Sequence, residues 1–142
     1  MSDSDARRER IQRAWEAAWD RGDVNFLDDL LSPDYRRLES AGAVRSLDQF
    51  KASILSTRSA FPDLRTVIDE IVAEDDRVAI RWHSTGTHAH PFLDVPATRR
   101  SVAANGVNFA RFDGELIVEE SVTWDPRALL TALGIISVGQ DG

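Results

Sequence analysis

The chain changes its periodicity at Pro62. Before it, apolar residues recur at three- and four-residue steps, and after it they alternate, so helices and strands must occupy separate stretches of one fold. Within residues 4–20, Ile11, Trp15, Ala18 and Trp19 share one side, while Arg7, Arg8, Glu9, Arg10 and Asp20 fill the other, which predicts an amphipathic helix. Ser2 or Ser4 can cap its start, and Gly22 supplies a left-handed stop. A second short helix is predicted over 24–31, ending at Ser32-Pro33 because proline disfavours helical backbone in the residue before it. Residues 35–39 read as a brief extended segment. Ser46-Leu47-Asp48-Gln49 is a capping-box pattern that opens a third helix to Ala60, with Phe50, Ile54 and Leu55 on one face.

The second part reads as a sheet. Val67, Ile68, Ile71 and Val72 form a β-branched first strand, Asp75-Asp76 interrupts it, and Val78, Ile80 and Trp82 alternate with Ala79, Arg81 and His83 in a second. Residues 88–98, with Pro91 and Pro96, read as an irregular loop. Strands over 101–112 and 116–124 flank Asp113-Gly114, a hairpin signal because both residues tolerate positive φ. Asp125-Pro126 opens a last helix that stops at Gly134. The predicted fold class is α+β, a mostly antiparallel sheet with segregated helices, in one domain over 1–142 with an ordered core of 4–134 and a frayed tail over 135–142.

Composition narrows the chemistry. The chain has no cysteine, which excludes disulfides, thiolate catalysis and sulfur-ligated zinc. Its net charge of −7 argues against a nucleic-acid partner. Sixteen arginines accompany a single lysine, so Schiff-base chemistry would rest on Lys51 alone, in a turn expected to be exposed. No apolar run reaches the roughly 20 residues of a membrane span, and residues 1–12 lack the apolar core of a secretory signal, so a cytoplasmic protein without a membrane partner is expected.

If the Asp113-Gly114 hairpin has a two- or four-residue loop, one face carries Val102, Ala104, Gly106, Asn108, Ala110 and Phe112 with Ile117, Glu119, Ser121, Thr123 and Asp125. That face is small and polar and suits a ligand pocket under a helical cover. The other, with Phe109, Val122 and Trp124, is bulkier and suits a dimer interface. Asp125 reads as a helix cap, as a general base, or as both. Glu119 and His88, the latter at the pocket rim, are the other candidate catalytic residues, and Asn108, beside Glu119, is a candidate substrate-binding residue. Trp19, Trp82, Tyr35 and Ser121 are candidate substrate-binding residues. His88-Ala-His90 could offer two imidazoles, but a third ligand at a telling spacing is missing, so no metal is expected.

Several segments together carry a resemblance. Ala60-Phe-Pro-Asp-Leu-Arg65, Arg81-Trp82 with Thr85-Gly-Thr-His88, Phe92-Leu-Asp-Val-Pro-Ala-Thr98, and Val118-Glu-Glu followed by Trp124-Asp125 and Leu129-Leu-Thr-Ala-Leu-Gly134 are similar to the SnoaL-like polyketide cyclases, and Pro33-Asp34-Tyr35 fits their opening. The resemblance implies a cone-shaped α+β barrel of the nuclear transport factor type, commonly a homodimer. It also implies cofactor- and metal-independent ring closure of a polyketide-derived intermediate, with Asp125 in the acid/base position. Arg36-Arg37-Leu38 stands where many relatives have a histidine, Ser121 where an aromatic is common, and Asp94 where glycine is frequent. The alternatives are an epoxide hydrolase, isomerase or hydroxylase-like activity in the same pocket, or a non-catalytic small-molecule-binding dimer.

Overall fold

The computed structural model describes residues 3–40 and 42–134. Helix α1 (Asp3–Trp15) runs into a π turn, Glu16–Asp20, and together they bury Ile11, Ala14, Trp15, Ala17 and Ala18. Gly22, at φ +74°, ends it as expected, with its N–H and that of Asp23 donating back to the Ala18 and Ala17 carbonyls. Val24–Asp29 is a 3₁₀ helix, shorter than the helix predicted over 24–31. Leu31 already begins strand β1 (Leu31–Leu38), which includes Pro33. Pairing of β1 is broken between Leu31 and Arg36, so proline's missing N–H costs no ladder bond there.

A short strand β2 (Val44–Ser46), not anticipated above, pairs antiparallel with β1. Helix α2 (Leu47–Ala60) opens on the predicted capping box: Gln49 N–H donates to Ser46 Oγ, and Ser46 N–H to Gln49 Oε1. It buries Leu47, Phe50 and Ile54, whereas Leu55, one residue round the helix, is 48% exposed and leaves the predicted face. Strands β3 (Arg65–Glu74), β4 (Arg77–Thr87), β5 (Ser101–Asp113) and β6 (Leu116–Trp124) follow, then the short helix α3 (Arg127–Ala132). The six strands form one curved open sheet in the order β2-β1-β6-β5-β4-β3, parallel only between β1 and β6. The expected α+β class is the observed one. Predictions for the tail over 135–142 lie outside the described residues.

The register of the β5–β6 hairpin decides what reaches the interior. Next to the turn, Phe112 pairs with Ile117 and Asp113 with Leu116, as the loop argument requires. A bulge then inserts Val118, and from Arg111–Glu119 to Gly106–Trp124 the pairing is offset by one. Because side chains alternate, that single residue exchanges the faces of everything beyond it. Glu120, Val122 and Trp124 join Asn108 inside, and Glu119, Ser121 and Thr123 turn out with Phe109. Burial agrees: Glu120 is 3% and Val122 4% exposed, while Phe109 is 59% exposed. The expectation that Val122 and Trp124 belong to an outer interface is thereby corrected.

Candidate active-site cavity

Trp15 and Trp19 from the first helical segment, Phe50 and Thr57 from α2, and the inner faces of β4, β5 and β6 enclose a cavity of about 520 Å³. Its wall is mostly apolar, and Phe61, Trp82, Phe92 and Trp124 add four more rings to it. Among small-molecule sites, such an apolar hollow with a few fixed polar groups is the usual pattern. Most hydroxyls on the wall are already hydrogen-bonded within the protein. Ser53 and Thr57 donate to helix carbonyls, and Thr66 Oγ1 lies 2.7 Å from Ser84 Oγ.

At one end five side chains form a continuous network. Trp82 Nε1 donates to Asn108 Oδ1 at 2.9 Å, and Asn108 Nδ2 donates to Glu120 Oε2 at 2.9 Å. The other carboxylate oxygen accepts from the Tyr35 hydroxyl at 2.6 Å and from Arg37 Nη1 at 3.2 Å. Arg37, Asn108 and Trp82 line the cavity, whereas Tyr35 and Glu120 stand behind the wall. The Arg37 guanidinium lies over the Phe50 ring, 4.0 Å from its centroid, a cation–π contact that helps hold it in place. Burial, reinforced by the Glu120 charge, holds the Tyr35 phenol well above its ordinary pKa, so it remains a donor. For Arg37, burial lowers the pKa, but the neighbouring Tyr35 and Glu120 outweigh it, and the group stays a cation.

Toward the β1–β2 connection, Glu39 Oε1 lies 3.1 Å from Arg45 Nε and 3.5 Å from Arg37 Nε. Glu39 is the one carboxylate among the described residues lining the cavity. Ser40 Oγ donates to the Val122 carbonyl and ties this connection to β6.

The residues singled out from the sequence divide into three groups. Asn108, Trp82 and Trp19 are in the wall. Tyr35 is buried behind it, and His88 is fully buried outside the lining, its Nδ1 accepting from Thr98 N–H. Asp125, Glu119 and Ser121 are not in the wall. Glu119 and Ser121 are turned out by the bulge, with Glu119 3.8 Å from Arg36. Asp125 is exposed, and its Oδ1 accepts from Arg127 N–H, closing a turn ahead of α3, although Trp124 and Pro126 on either side do line the cavity. The local turn takes the carboxylate that the pocket was expected to have. His83 is on the outer face against Asp69, and His90 is exposed, as expected. Among the described residues no group of three His, Asp or Glu side chains is arranged to hold a metal. Lys51 is drawn back onto Asp28 at 2.7 Å rather than exposed. Reading the sequence missed Arg37, Glu39 and Glu120. The available signal was that Tyr35 and Arg37, two apart on one strand face, require a buried acid nearby.

A curved sheet cupping a deep cavity under N-terminal helices is the nuclear transport factor type of fold, and comparison with known proteins agrees. A family model for SnoaL-like polyketide cyclases matches residues 9–133, and the chain belongs to that family. Its fold is similar to AclR, a proposed hydroxylase from Streptomyces galilaeus (30% identity, 93% of this chain and 98% of that one, TM-score 0.83). It is also similar to IdmH, a proposed polyketide cyclase from Streptomyces antibioticus (27%, 90% and 98%, TM-score 0.78), and to TsrD from Streptomyces laurentii (25%, 96% and 99%, TM-score 0.83). No curated protein matches the sequence. No helix among the described residues is long and apolar enough to cross a membrane.

Proposed function

We propose that the protein closes a ring on a polyketide-derived intermediate by acid–base catalysis in this cavity, with Glu39 as the base and Arg37 with Asn108 as the oxyanion site. One observation carries the reading: the cavity's only described carboxylate sits beside a buried guanidinium that lies over the Phe50 ring. Glu39 removes a proton from a carbon next to a ketone, and the electron pair moves onto the carbonyl oxygen. That oxygen meets donors already in place, which in enzymes generally is the larger energetic contribution. The enolate carbon then attacks a second carbonyl of the same folded chain, and the proton held by Glu39 passes to the new alkoxide. Aromatic walls fold the substrate into a reactive conformer and exclude water. The reading needs no cofactor, and it takes a homodimer through the outer face around Phe109 as its assembly. The likeness to AclR favours a second outcome of the same enolate, hydroxylation by dioxygen, in which the carbon takes one oxygen atom and an external two-electron reductant releases the other as water; mass analysis of the product distinguishes the two.

The first step is testable without the natural substrate. With 2-tetralone in deuterium oxide, the protein is expected to accelerate deuterium uptake beside the carbonyl. Uptake equal to the buffer rate would contradict the proposal.

A further inference from the structure

The Asn108 amide has two chemically different ends, and its neighbours allow only one orientation. The indole N–H of Trp82 can only donate, so it must meet the amide oxygen. The ionised Glu120 can only accept, so it must meet the amide nitrogen. Hydrogen bonds therefore run one way, from Trp82 through Asn108 to Glu120, and the Tyr35 hydroxyl and Arg37 converge on the same carboxylate from the far side. The second N–H of Asn108 and the Nη2 group of Arg37 have no hydrogen-bond partner among the described residues, and both side chains line the cavity.

We propose that Glu120 is a positioning residue that leaves only donor atoms of Asn108 and Arg37 free toward the cavity, and so selects ligands that present a carbonyl or enolate oxygen to them. This rests on the cavity being the ligand site and deepens the proposed function by naming what sets its polarity. Glu120 touches no ligand itself. It acts by fixing which atoms of Asn108 and Arg37 are left over.

Glu120→Gln breaks the chain of bonds in either amide orientation. A nitrogen facing Asn108 either meets the Asn108 nitrogen or forces a flip that sets that nitrogen against the indole N–H. A nitrogen facing the other way meets Arg37. Asn108→Asp alone sets two carboxylates against each other. The double exchange, Asn108→Asp with Glu120→Gln, is different: the new aspartate accepts from both Trp82 and the glutamine, the glutamine oxygen accepts from Tyr35 and Arg37, and the total charge is unchanged. Every bond is restored, but the wall at 108 now offers an acceptor.

The experiment measures the thermal midpoint and the binding of 2-tetralone, by tryptophan fluorescence, for the native chain, both single variants and the exchange. Each single variant is expected to melt about 5 °C lower or more, with the exchange returning most of the loss. The exchange should still bind the ketone about tenfold more weakly than the native chain. If the exchange restores binding along with stability, Glu120 is a structural support only and the proposal is overturned. If it is no more stable than the single variants, the assigned direction of the hydrogen bonds is wrong and the proposal also falls. Both readouts are independent of turnover, so a native chain that binds the ketone but does not exchange its protons contradicts the Glu39 mechanism and leaves this test intact.

Discussion

At Gly106 a hydrogen atom stands where any other residue would place a carbon 2.6 Å from both the Thr123 carbonyl oxygen and the Trp82 ring, and 2.8 Å from Trp124 Cβ. Two of the three neighbours at that point are tryptophans of the cavity wall, so the glycine sets how closely the wall packs. A backbone oxygen has little freedom to retreat. Gly106→Ala is expected to cost about 1–3 kcal/mol, read as a lower denaturation midpoint, and to move Trp82 off Asn108, read as a change in its indole N–H resonance. The Arg37–Glu120 pair shows the same economy in charge. Removing one member of a buried pair typically costs about 3–5 kcal/mol because the other remains uncompensated. These residues were poorly legible in the sequence. Asp125 has the local pattern of a cap, and the structure gives it a local bond; Glu119 and Glu120 are adjacent and chemically alike, and only the register separates them.

Elements were far more legible than side chains. The capping box at Ser46, the stop at Gly22 and the Asp113-Gly114 hairpin are all local signals, set by hydrogen bonds or φ values within a few residues. Ser46→Ala removes the acceptor for Gln49 N–H, and about 1 kcal/mol of stability should go with it in a denaturant titration. The bulge at Val118 is not local. It arises where two strands must twist together, and no residue type marks it, so the face assignment failed from Glu119 onward. Pro33 departs from expectation for a related reason: its local pattern predicts the end of a helix, and it occupies an unpaired gap in a strand. The junction between α2 and β4 has a further device. Asp63 accepts from Thr87 N–H at 2.7 Å and from its hydroxyl at 2.8 Å. These bonds favour the ionised form and hold its pKa below the ordinary 3.8. The folded value is the lower one, so the contribution is whole above the unfolded pKa and is lost as pH falls through the folded pKa. Asp63→Asn should therefore lose less stability than the native chain between about pH 4 and pH 2, measured by thermal midpoints across that range.

For the molecule as a whole, the sequence places most helices first and most of the sheet second, which leads to the α+β class, and the cupped form is what the family resemblance implies. The cavity follows from it, because the large rings of the helices and the small residues of β5 do not fill the same space. What the order leaves open is which charged groups face the hollow, since that depends on strand pairing and on the β1–β2 connection that brings Glu39 inward. The family relationship constrains the fold more than the reaction, as the differing descriptions of AclR and IdmH illustrate.

Deuterium uptake into 2-tetralone, compared among the native chain, Glu39→Gln and Asp125→Asn, tests the central claim most directly. Glutamine at 39 keeps the shape but not the base, and should slow catalysed uptake by about 100-fold or more, within the range general bases contribute. Asparagine at 125 retains the turn with Arg127 and should leave the rate within about threefold, since asparagine and aspartate cap alike. Uptake that survives Glu39→Gln and is lost in Asp125→Asn would contradict the account.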